Sequence, residues 1–264
     1  MGRGVTEDDY AFLAKKAYPS AKAVIAWGGQ KNDPPENGKV FVSIQPAVGV
    51  AIAAEDKASV EEYLTRAGVV TVSPQIVDPD FVFVDTTTDF TYSSTSSTLL
   101  GEELETAIRT TISNYNDINL NTFKSVLRYS NLLSAIDGTD NGIVSNITSF
   151  VLSKRFYARV GVPSRAELRF SNPLMRDSVV STTFKYGTFN TCSFKSGAGN
   201  NLSIVNTVGG KDTVIVSQAG EIDYDNGVIN VDPVTIAAAD ARYFDDLLQS
   251  PYIRISGCPV DSNV

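Results

Sequence analysis

The sequence predicts an α+β fold, with a mixed sheet and packed helices followed by a mostly β C-terminal region. Two observations predict it. Before about residue 158, segments of helical periodicity alternate with strand-type segments. After residue 159 the helical periodicity nearly disappears, and short β-type runs recur between Gly, Asn, Asp and Pro turns. The chain has 264 residues, enough for one large domain or two ordinary ones. From the change in pattern we expect two, over residues 1–158 and 159–264.

The first 46 residues predict one helix and two strands. Thr6 is expected to cap the helix, and Pro19 marks its end. Residues 23–27 and 40–44 predict strands on either side of a loop over residues 30–38. The apolar positions at helical spacing are Tyr10, Leu13, Ala14 and Ala17.

The next segment predicts a second helix and two more strands. Asp56 is expected to cap the helix, which stops at Gly68. Residues 71–76 contain Pro74, so they predict an edge strand or no strand. Residues 81–92 are rich in β-branched and aromatic residues and predict a long strand.

Two further helices precede the β-rich region. The Ser/Thr segment 93–98 offers caps for a helix that ends near Tyr115. A second helix is expected over residues 120–133, followed by a turn at residues 137–142. Residues 143–157 then predict a long strand.

The β-rich region contains a succession of short β-type runs. Asp225-Asn226-Gly227 predicts a hairpin, because Asn-Gly readily adopts the positive φ angles of a tight turn. One short helix is expected over residues 237–248. The runs that predict strands cover residues 167–170, 182–186, 191–195, 202–205, 213–217, 221–224, 228–231 and 252–256.

The composition excludes several function classes. The chain has no histidine, so mechanisms that use a histidine base or a histidine metal ligand are excluded. The net charge of −8 argues against a nucleic-acid-binding surface. No apolar run approaches the ~20 residues that span a bilayer. The two cysteines, Cys192 and Cys258, fit either one disulfide or two free thiols.

The segments that resemble catalytic or ligand-binding motifs are incomplete. Residues 137–142 resemble a calcium loop, but Thr139 and Thr148 stand where that loop needs acidic or amide ligands. Gly209-Gly210-Lys211 lacks the glycine spacing of a phosphate loop, and Gly28-Gly29 lacks that of a dinucleotide fold. We therefore predict turns at all three places.

Charged and aromatic clusters also favour structural roles. Adjacent carboxylates on a helix point about 100° apart, so they favour helix starts and solvated faces over a catalytic pair. The carboxylate pairs are Asp8-Asp9, Glu61-Glu62, Glu102-Glu103 and Asp245-Asp246. The nearest approach to a basic cluster, Lys154-Arg155 with Arg159 and Arg165, favours a solvated face. The strand aromatics, which favour a sheet core, are Trp27, Phe81, Phe83, Phe90 and Tyr92.

Four segments in this order carry a family resemblance: VTEDDYAFLAKKAYPSAKAVIAWGG, DPPENGKVFVSIQP, VVTVSPQIVDPDFVFV and a helix ending in ISNYN. Over residues 5–156 the chain resembles the baseplate wedge family, gene product six, of T-even-like contractile-tailed phages, within the wider baseplate J-like group. Asn37 departs from the family, which has an aromatic residue there. Because family members are much longer, the resemblance implies that this chain corresponds to their C-terminal part.

The resemblance implies a structural function in the virion. The family forms dimers that join into a ring around the tail tube, the inner baseplate, after assembly in the host cytoplasm. The expected partners are therefore other copies of the chain and other wedge proteins, with no nucleic acid, membrane or small-molecule substrate. The resemblance implies no enzyme activity, and we assign no catalytic, cofactor-binding or metal-binding residue and no interface residue.

Two other functions remain open at this stage. The β-rich region also fits a carbohydrate- or receptor-binding tail module. A carboxylate-based enzyme requires two carboxyl groups that converge in a cleft, which only a structure can show.

Overall fold

The computed structural model describes residues 3–245, 248–261 and 264, and it has the predicted α+β fold. The chain forms two compact units. The first contains the described residues up to Phe81 together with Asn119–Ser125. The second contains Val82–Ile118 and the described residues from Val126 onward. The expected domains at residues 1–158 and 159–264 stay a prediction.

The first unit contains two helices and a three-stranded sheet. Its elements are α1 (Glu7–Ala17), β1 (Ala21–Gly28), β2 (Lys39–Pro46), α2 (Ala54–Ala67) and β3 (Ser73–Val77). The strand order is β1-β2-β3, in which β1 is antiparallel to β2 and β3 is parallel to it. The strand that contains Pro74 therefore lies at an edge, where its missing N–H costs no ladder hydrogen bond.

The cap of α1 agrees with the prediction. The backbone N–H of Asp9 donates to Thr6 Oγ1 at 3.2 Å, and Asp9 Oδ2 accepts from the Thr6 N–H at 2.9 Å. This reciprocal pair satisfies two backbone donors that the helix itself leaves free. The N-terminus of α2 was predicted wrongly: the helix begins at Ala54 rather than near Asp56, and its N-cap, Ala53, makes no side-chain hydrogen bond.

Both faces of β2 are covered, because its residues from Phe41 to Pro46 are all buried. Val42 and Ile44 pack in the core of the unit. On the other face, Gln45 Nε2 donates to Asn121 Oδ1. The core residues contributed by the two helices are Tyr10, Leu13, Ala14, Val60 and Leu64.

The second unit contains two helices and most of the strands. Its first elements are β4 (Phe83–Tyr92), α3 (Gly101–Tyr115), α4 (Tyr129–Asp137) and β5 (Ile143–Phe156). Then come β6 (Ser164–Arg169), β7 (Val180–Ser181), β8 (Phe184–Tyr186), β9 (Phe189–Ser196), β10 (Asn201–Val208), β11 (Lys211–Asp223) and β12 (Val228–Val234). The last are β13 (Ala238–Ala239), β14 (Phe244–Asp245), β15 (Ser250–Pro251) and β16 (Ile253–Gly257).

An eleven-stranded sheet organises this unit, in the order β4-β5-β16-β7-β9-β10-β11-β12-β6, with β8 and β13 attached beside β9. All of its ladders are antiparallel. The two runs predicted at residues 213–217 and 221–224 belong to one strand, β11. The predicted hairpin at Asp225-Asn226-Gly227 joins β11 to β12, and Gly227 has a φ of 63°.

The helix expected over residues 120–133 is shorter in the structure. One π turn, Asn116–Leu120, follows α3, and regular helix resumes only at Tyr129. Leu127 pairs its backbone N–H and C=O with the backbone of Val264 instead of with a helical turn. Local apolar spacing therefore predicted a helix that this long-range pairing replaces.

Two other local predictions were wrong. Residues 237–245 hold the short strands β13 and β14 instead of a helix, and residues 246–247 lie outside the described part of the chain. The Ser/Thr segment 93–98 does not cap α3. The N-cap of α3 is Leu100 instead, and the Leu100 N–H donates to Glu103 Oε2 at 3.1 Å.

The core of the second unit is aromatic at its centre. Phe194 is fully buried, with its ring centroid 4.8 Å from that of Phe184 and 6.3 Å from that of Phe156. The two cysteines are free thiols, and Cys192 is buried beside this core. Within the described residues, each helix is too short or too polar to cross a membrane.

Candidate functional site

The most organised group of polar side chains lies where β4, β5 and β16 adjoin in the second unit. Arg155 projects from β5 between two aromatic rings. Its guanidinium carbon lies 4.5 Å from the ring centroid of Phe83 and 4.5 Å from that of Tyr252. Cation–π contact on both sides holds the guanidinium in one place.

Asp245 accepts hydrogen bonds from two residues of this group. Its Oδ2 lies 2.9 Å from Arg155 Nη1 and 3.0 Å from the hydroxyl of Tyr157, which donates. The Asp245 side chain is only 6% exposed. Burial raises the pKa of the Tyr157 hydroxyl, and the hydrogen bond to Asp245 raises it further. Tyr157 therefore keeps its proton and acts as a hydrogen-bond donor.

A second arginine extends the group. Arg254 Nη1 lies 3.0 Å from Asp85 Oδ1, and Asp85 Oδ2 accepts from Ser153 Oγ at 2.9 Å. The guanidinium carbon of Arg254 lies 5.7 Å from the ring centroid of Tyr243. We call the whole group the arginine–tyrosine cluster: Phe83, Asp85, Arg155, Tyr157, Tyr243, Asp245, Tyr252 and Arg254.

The cluster is arranged to hold chain segments together. Arginine remains protonated in proteins and cannot serve as a base. Asp245 and Asp85 accept hydrogen bonds from the arginines, and these bonds connect β4, β5, β16 and the segment around Asp245. Within residues 3–245, 248–261 and 264, no group of three or more acidic, Cys or His side chains could hold a metal ion.

The carboxylates singled out in the sequence as adjacent pairs make separate structural contacts and do not act as pairs. Asp9 belongs to the cap of α1, and Glu103 accepts from the N–H that begins α3. Glu61 accepts from the backbone N–H of Ile76, whereas its neighbour Glu62 pairs with Arg66 one helical turn away. Of the pair Asp245-Asp246, the second lies outside the described residues.

The three glycine- or aspartate-rich segments are turns or strand ends. In the calcium-like segment, Asp140 accepts from the N–H of Gly142 at 2.6 Å, a bond that lowers the pKa of its carboxyl group. Gly209 and Gly210 form the two-residue turn between β10 and β11. The N–H of Gly28 donates to a Glu7 carboxylate oxygen at 2.8 Å, so this backbone donor is already used within the chain.

The basic residues noted in the sequence do not share one patch. Lys154 is buried and Arg155 belongs to the cluster, because neighbouring residues of a strand point to opposite faces. Arg159 and Arg165 are exposed. The cluster itself was missed from the sequence because Tyr157 and Asp245 are 88 residues apart. The only local signal was Arg155 and Tyr157 at alternate positions of one predicted strand.

The strand aromatics lie less deeply than predicted. Trp27 is half-buried. Its ring stacks on that of Phe41, with 5.9 Å between the ring centroids. Its Nε1 donates to Asn32 Oδ1 at 2.8 Å. Phe81, Phe83 and Phe90 are half-buried, and Tyr92 is 38% exposed. The predicted sheet core is therefore formed mainly by aliphatic residues and by other aromatics such as Phe194.

Comparison with known families finds two matches, one after the other along the chain. Residues 6–77 match the family described as baseplate structural protein gp6, C-terminal domain I. Residues 80–155 match baseplate structural protein gp6, C-terminal domain III. The change from one match to the next lies close to Phe81, where the first compact unit gives way to the second.

A curated relative agrees with these matches. The baseplate wedge protein gp6 of Enterobacteria phage T4 is 22% identical over 185 residues, which cover 70% of this chain. The chain spans about a quarter of that protein, since the alignment covers 27% of its length. The comparisons thus show that the chain resembles the C-terminal part of gp6, and they do not favour the receptor-binding alternative.

Proposed function

From the resemblance of residues 6–77 and 80–155 to two C-terminal domains of gp6, we propose that this chain is a structural subunit of a contractile phage tail baseplate. It contributes to the inner baseplate wedge through contacts with other subunits. The observation that carries the proposal is the order of the two matches, which follow one another along the chain as domain I and domain III.

The chemistry of the candidate site supports a structural function over a catalytic one. The arginine–tyrosine cluster uses its charged groups on one another, at 2.9 and 3.0 Å, rather than directing them into a cleft. A subunit of a ring needs rigid modules with surfaces that neighbours can cover, and it needs no reactive group. We therefore propose that the chain is not an enzyme.

The proposed partners are other wedge proteins of the same virion and further copies of this chain, as dimers within a ring. The proposed location is the tail baseplate, reached by assembly in the host cytoplasm.

Co-purification tests this function directly. The full chain would carry an affinity tag and be co-expressed with the wedge proteins encoded by the same phage, and mass spectrometry would identify what is retained. We expect at least one wedge protein in stoichiometric amount and the chain itself in purified tails. A chain that is absent from tails and retains no wedge protein would refute the proposal.

A control variant carries a surface substitution that should leave both the folding of the chain and its partners unchanged. Glu105→Gln changes an exposed residue of α3 whose ion pair with Arg109 is exposed on both sides. It should retain the same partners as the wild type, because an exposed pair of this kind contributes little to folding.

A further inference from the structure

The sequence contains an Asn-Gly dipeptide at three places: Asn37-Gly38, Asn141-Gly142 and Asn226-Gly227. Asparagine is among the thermolabile residues of proteins. The backbone nitrogen of the next residue can attack its side-chain amide, and a glycine favours this attack because it has no Cβ to screen the nitrogen. The dipeptides are identical in sequence, so only the fold distinguishes them.

At Asn141-Gly142 the attacking nitrogen is already engaged. The Gly142 N–H donates to Asp140 Oδ1 at 2.6 Å. A hydrogen bond to a carboxylate is roughly twice as strong as a neutral one, and the negative charge opposes loss of the amide proton. Gly142 is also buried and closely packed, since a Cβ there would lie 2.4 Å from the Cβ of Ser97. The folded chain therefore protects Asn141.

At Asn226-Gly227 the asparagine itself is held in place. Its Nδ2 donates to Asp223 Oδ2 at 2.7 Å, and its backbone N–H donates to Asp223 Oδ1 at 3.0 Å. Gly227 is buried, and its C=O accepts from the Phe170 N–H at 2.8 Å. An attack by the Gly227 nitrogen would require these contacts to break, so the hairpin protects Asn226.

Asn37-Gly38 lies in the loop between β1 and β2 and has neither restraint. Both residues are exposed. Within the described part of the chain, the Asn37 side chain makes no hydrogen bond and the Gly38 N–H has no acceptor. A Cβ at Gly38 would meet only the carbonyl oxygen of Thr71, at 3.7 Å, so the space beside this nitrogen is open.

The charges beside Asn37 also differ from those at the other two sites. Glu36 is the neighbouring carboxylate, and its Oε2 lies 2.5 Å from Lys39 Nζ. The lysine therefore balances the charge that would otherwise oppose loss of the Gly38 amide proton. At Asn141 and Asn226 the nearby carboxylate is instead bonded directly to the reacting dipeptide.

We propose that Asn37 is a site of spontaneous modification, at which the folded chain converts asparagine to aspartate and isoaspartate. The Gly38 nitrogen loses its proton to hydroxide and bonds to Asn37 Cγ, and the side-chain nitrogen leaves as ammonia. Water then opens the resulting succinimide ring. Cleavage of the new Cγ–N bond gives aspartate, and cleavage of the original peptide C–N bond gives isoaspartate. The net reaction consumes water and releases ammonia, with no oxidation or reduction.

Both products place a new negative charge at residue 37, beside the exposed pair of Glu36 and Lys39. Isoaspartate also adds a methylene group to the backbone directly before β2, where Lys39 pairs with Ser73 of β3. The chain therefore acquires a more acidic form as it ages. This inference concerns the first unit alone and does not rest on the proposed function.

Incubation of the full chain in mildly alkaline buffer made with heavy-oxygen water tests the inference. The heavy oxygen enters the chain when the succinimide is hydrolysed. Digestion in ordinary water, followed by peptide mass spectrometry, then separates modification of the folded chain from modification during digestion. We expect residue 37 to be labelled about tenfold faster than residues 141 and 226, or more.

Two controls separate the chemistry from the fold. In urea the three sites should be labelled at similar rates, because unfolding removes the contacts that protect Asn141 and Asn226. Asn37→Gln keeps a side-chain amide but requires a larger ring, so residue 37 of this variant should remain unlabelled.

An Asn37 that stays unlabelled in the folded chain would overturn the inference, as would labelling of Asn141 or Asn226 as fast as Asn37. The same ranking in urea as in the folded chain would also overturn it, since the fold would then not decide the site. None of these outcomes bears on the co-purification of wedge proteins, so failure here and failure of the proposed function remain distinguishable.

Discussion

Arg155 and Asp245 form an ion pair with 2.9 Å between Nη1 and Oδ2, although 90 residues separate them in the sequence. The carboxylate is 6% exposed and the guanidinium-bearing side chain 24%. The pair fixes the segment that contains Asp245 against β5. Because it is well shielded from water, removal of one partner leaves a buried charge without compensation.

Asp245→Asn should therefore destabilise the second unit. We expect a loss of about 2–3 kcal/mol in the free energy of unfolding, below the full cost of a buried pair because water reaches part of Arg155. Urea denaturation followed by circular dichroism measures it. Glu105→Gln, which breaks the exposed pair with Arg109, should cost less than about 0.5 kcal/mol. Equal losses in the two variants would contradict the structural role assigned to Asp245.

Gly227→Ala should be far more destabilising than Gly209→Ala. Both glycines have left-handed backbones, with φ of 63° and 58°. A Cβ at Gly227 would lie 1.9 Å from the carbonyl oxygen of Asn172, whereas a Cβ at Gly209 would meet no atom within 4 Å. We expect about 1 kcal/mol for Gly209→Ala from backbone strain and about 3 kcal/mol or more for Gly227→Ala. Urea unfolding of both variants makes the comparison, and similar losses would show that the close approach to Asn172 is wrong.

The carboxyl group of Asp240 should remain ionised in acid. The hydrogen bond from the Arg242 side chain, at 2.6 Å, and that from the Arg242 backbone lower its pKa to about 2. An unfolded Asp has a pKa of about 3.9. Asp240 therefore stabilises the folded chain above about pH 4, and this contribution is lost as the pH falls towards 2.

Carboxyl carbon NMR shifts recorded during an acid titration measure this pKa. Arg242→Gln should move the midpoint of Asp240 upwards towards the ordinary value. In unfolding experiments, Asp240→Asn should lose stability less steeply than the wild type between about pH 4 and pH 2. A midpoint near 4 in the wild type would refute the assigned hydrogen bonds.

The two thiols should differ sharply in reactivity. Cys192 is fully buried, and burial raises the pKa of its thiol, which lowers the fraction of reactive thiolate. Cys258 is only partly buried. Iodoacetamide added to the folded chain should modify Cys258 first and Cys192 only on unfolding. Peptide mass spectrometry locates the label, and Cys258→Ser should abolish the fast phase.

Local signals predicted much of the fold. The Thr6 cap, the strand that ends near Phe156 and the hairpin at Gly227 each depend on residues close together in sequence, and the structure confirms all three. The predictions that failed were also local. The helix expected near Leu127 and that over residues 237–248 had suitable spacing. Backbone pairing with the distant Val264 replaced the first, and strand pairing of β13 with β8 and of β14 with β15 replaced the described part of the second.

The sequence by itself determined the α+β class, the absence of histidine chemistry and the resemblance of residues 5–156 to a baseplate family. Only the tertiary structure decided which charges meet and which strand edge stays open. Arg155 pairs with Asp245, although the two residues are far apart in sequence. Residues 212–219 of β11 have no second strand neighbour among the described residues. Both follow from the order in which distant strands pair. Hydrogen bonds between strands join backbones without regard to sequence distance, so strand order depends on how the whole sheet buries its side chains.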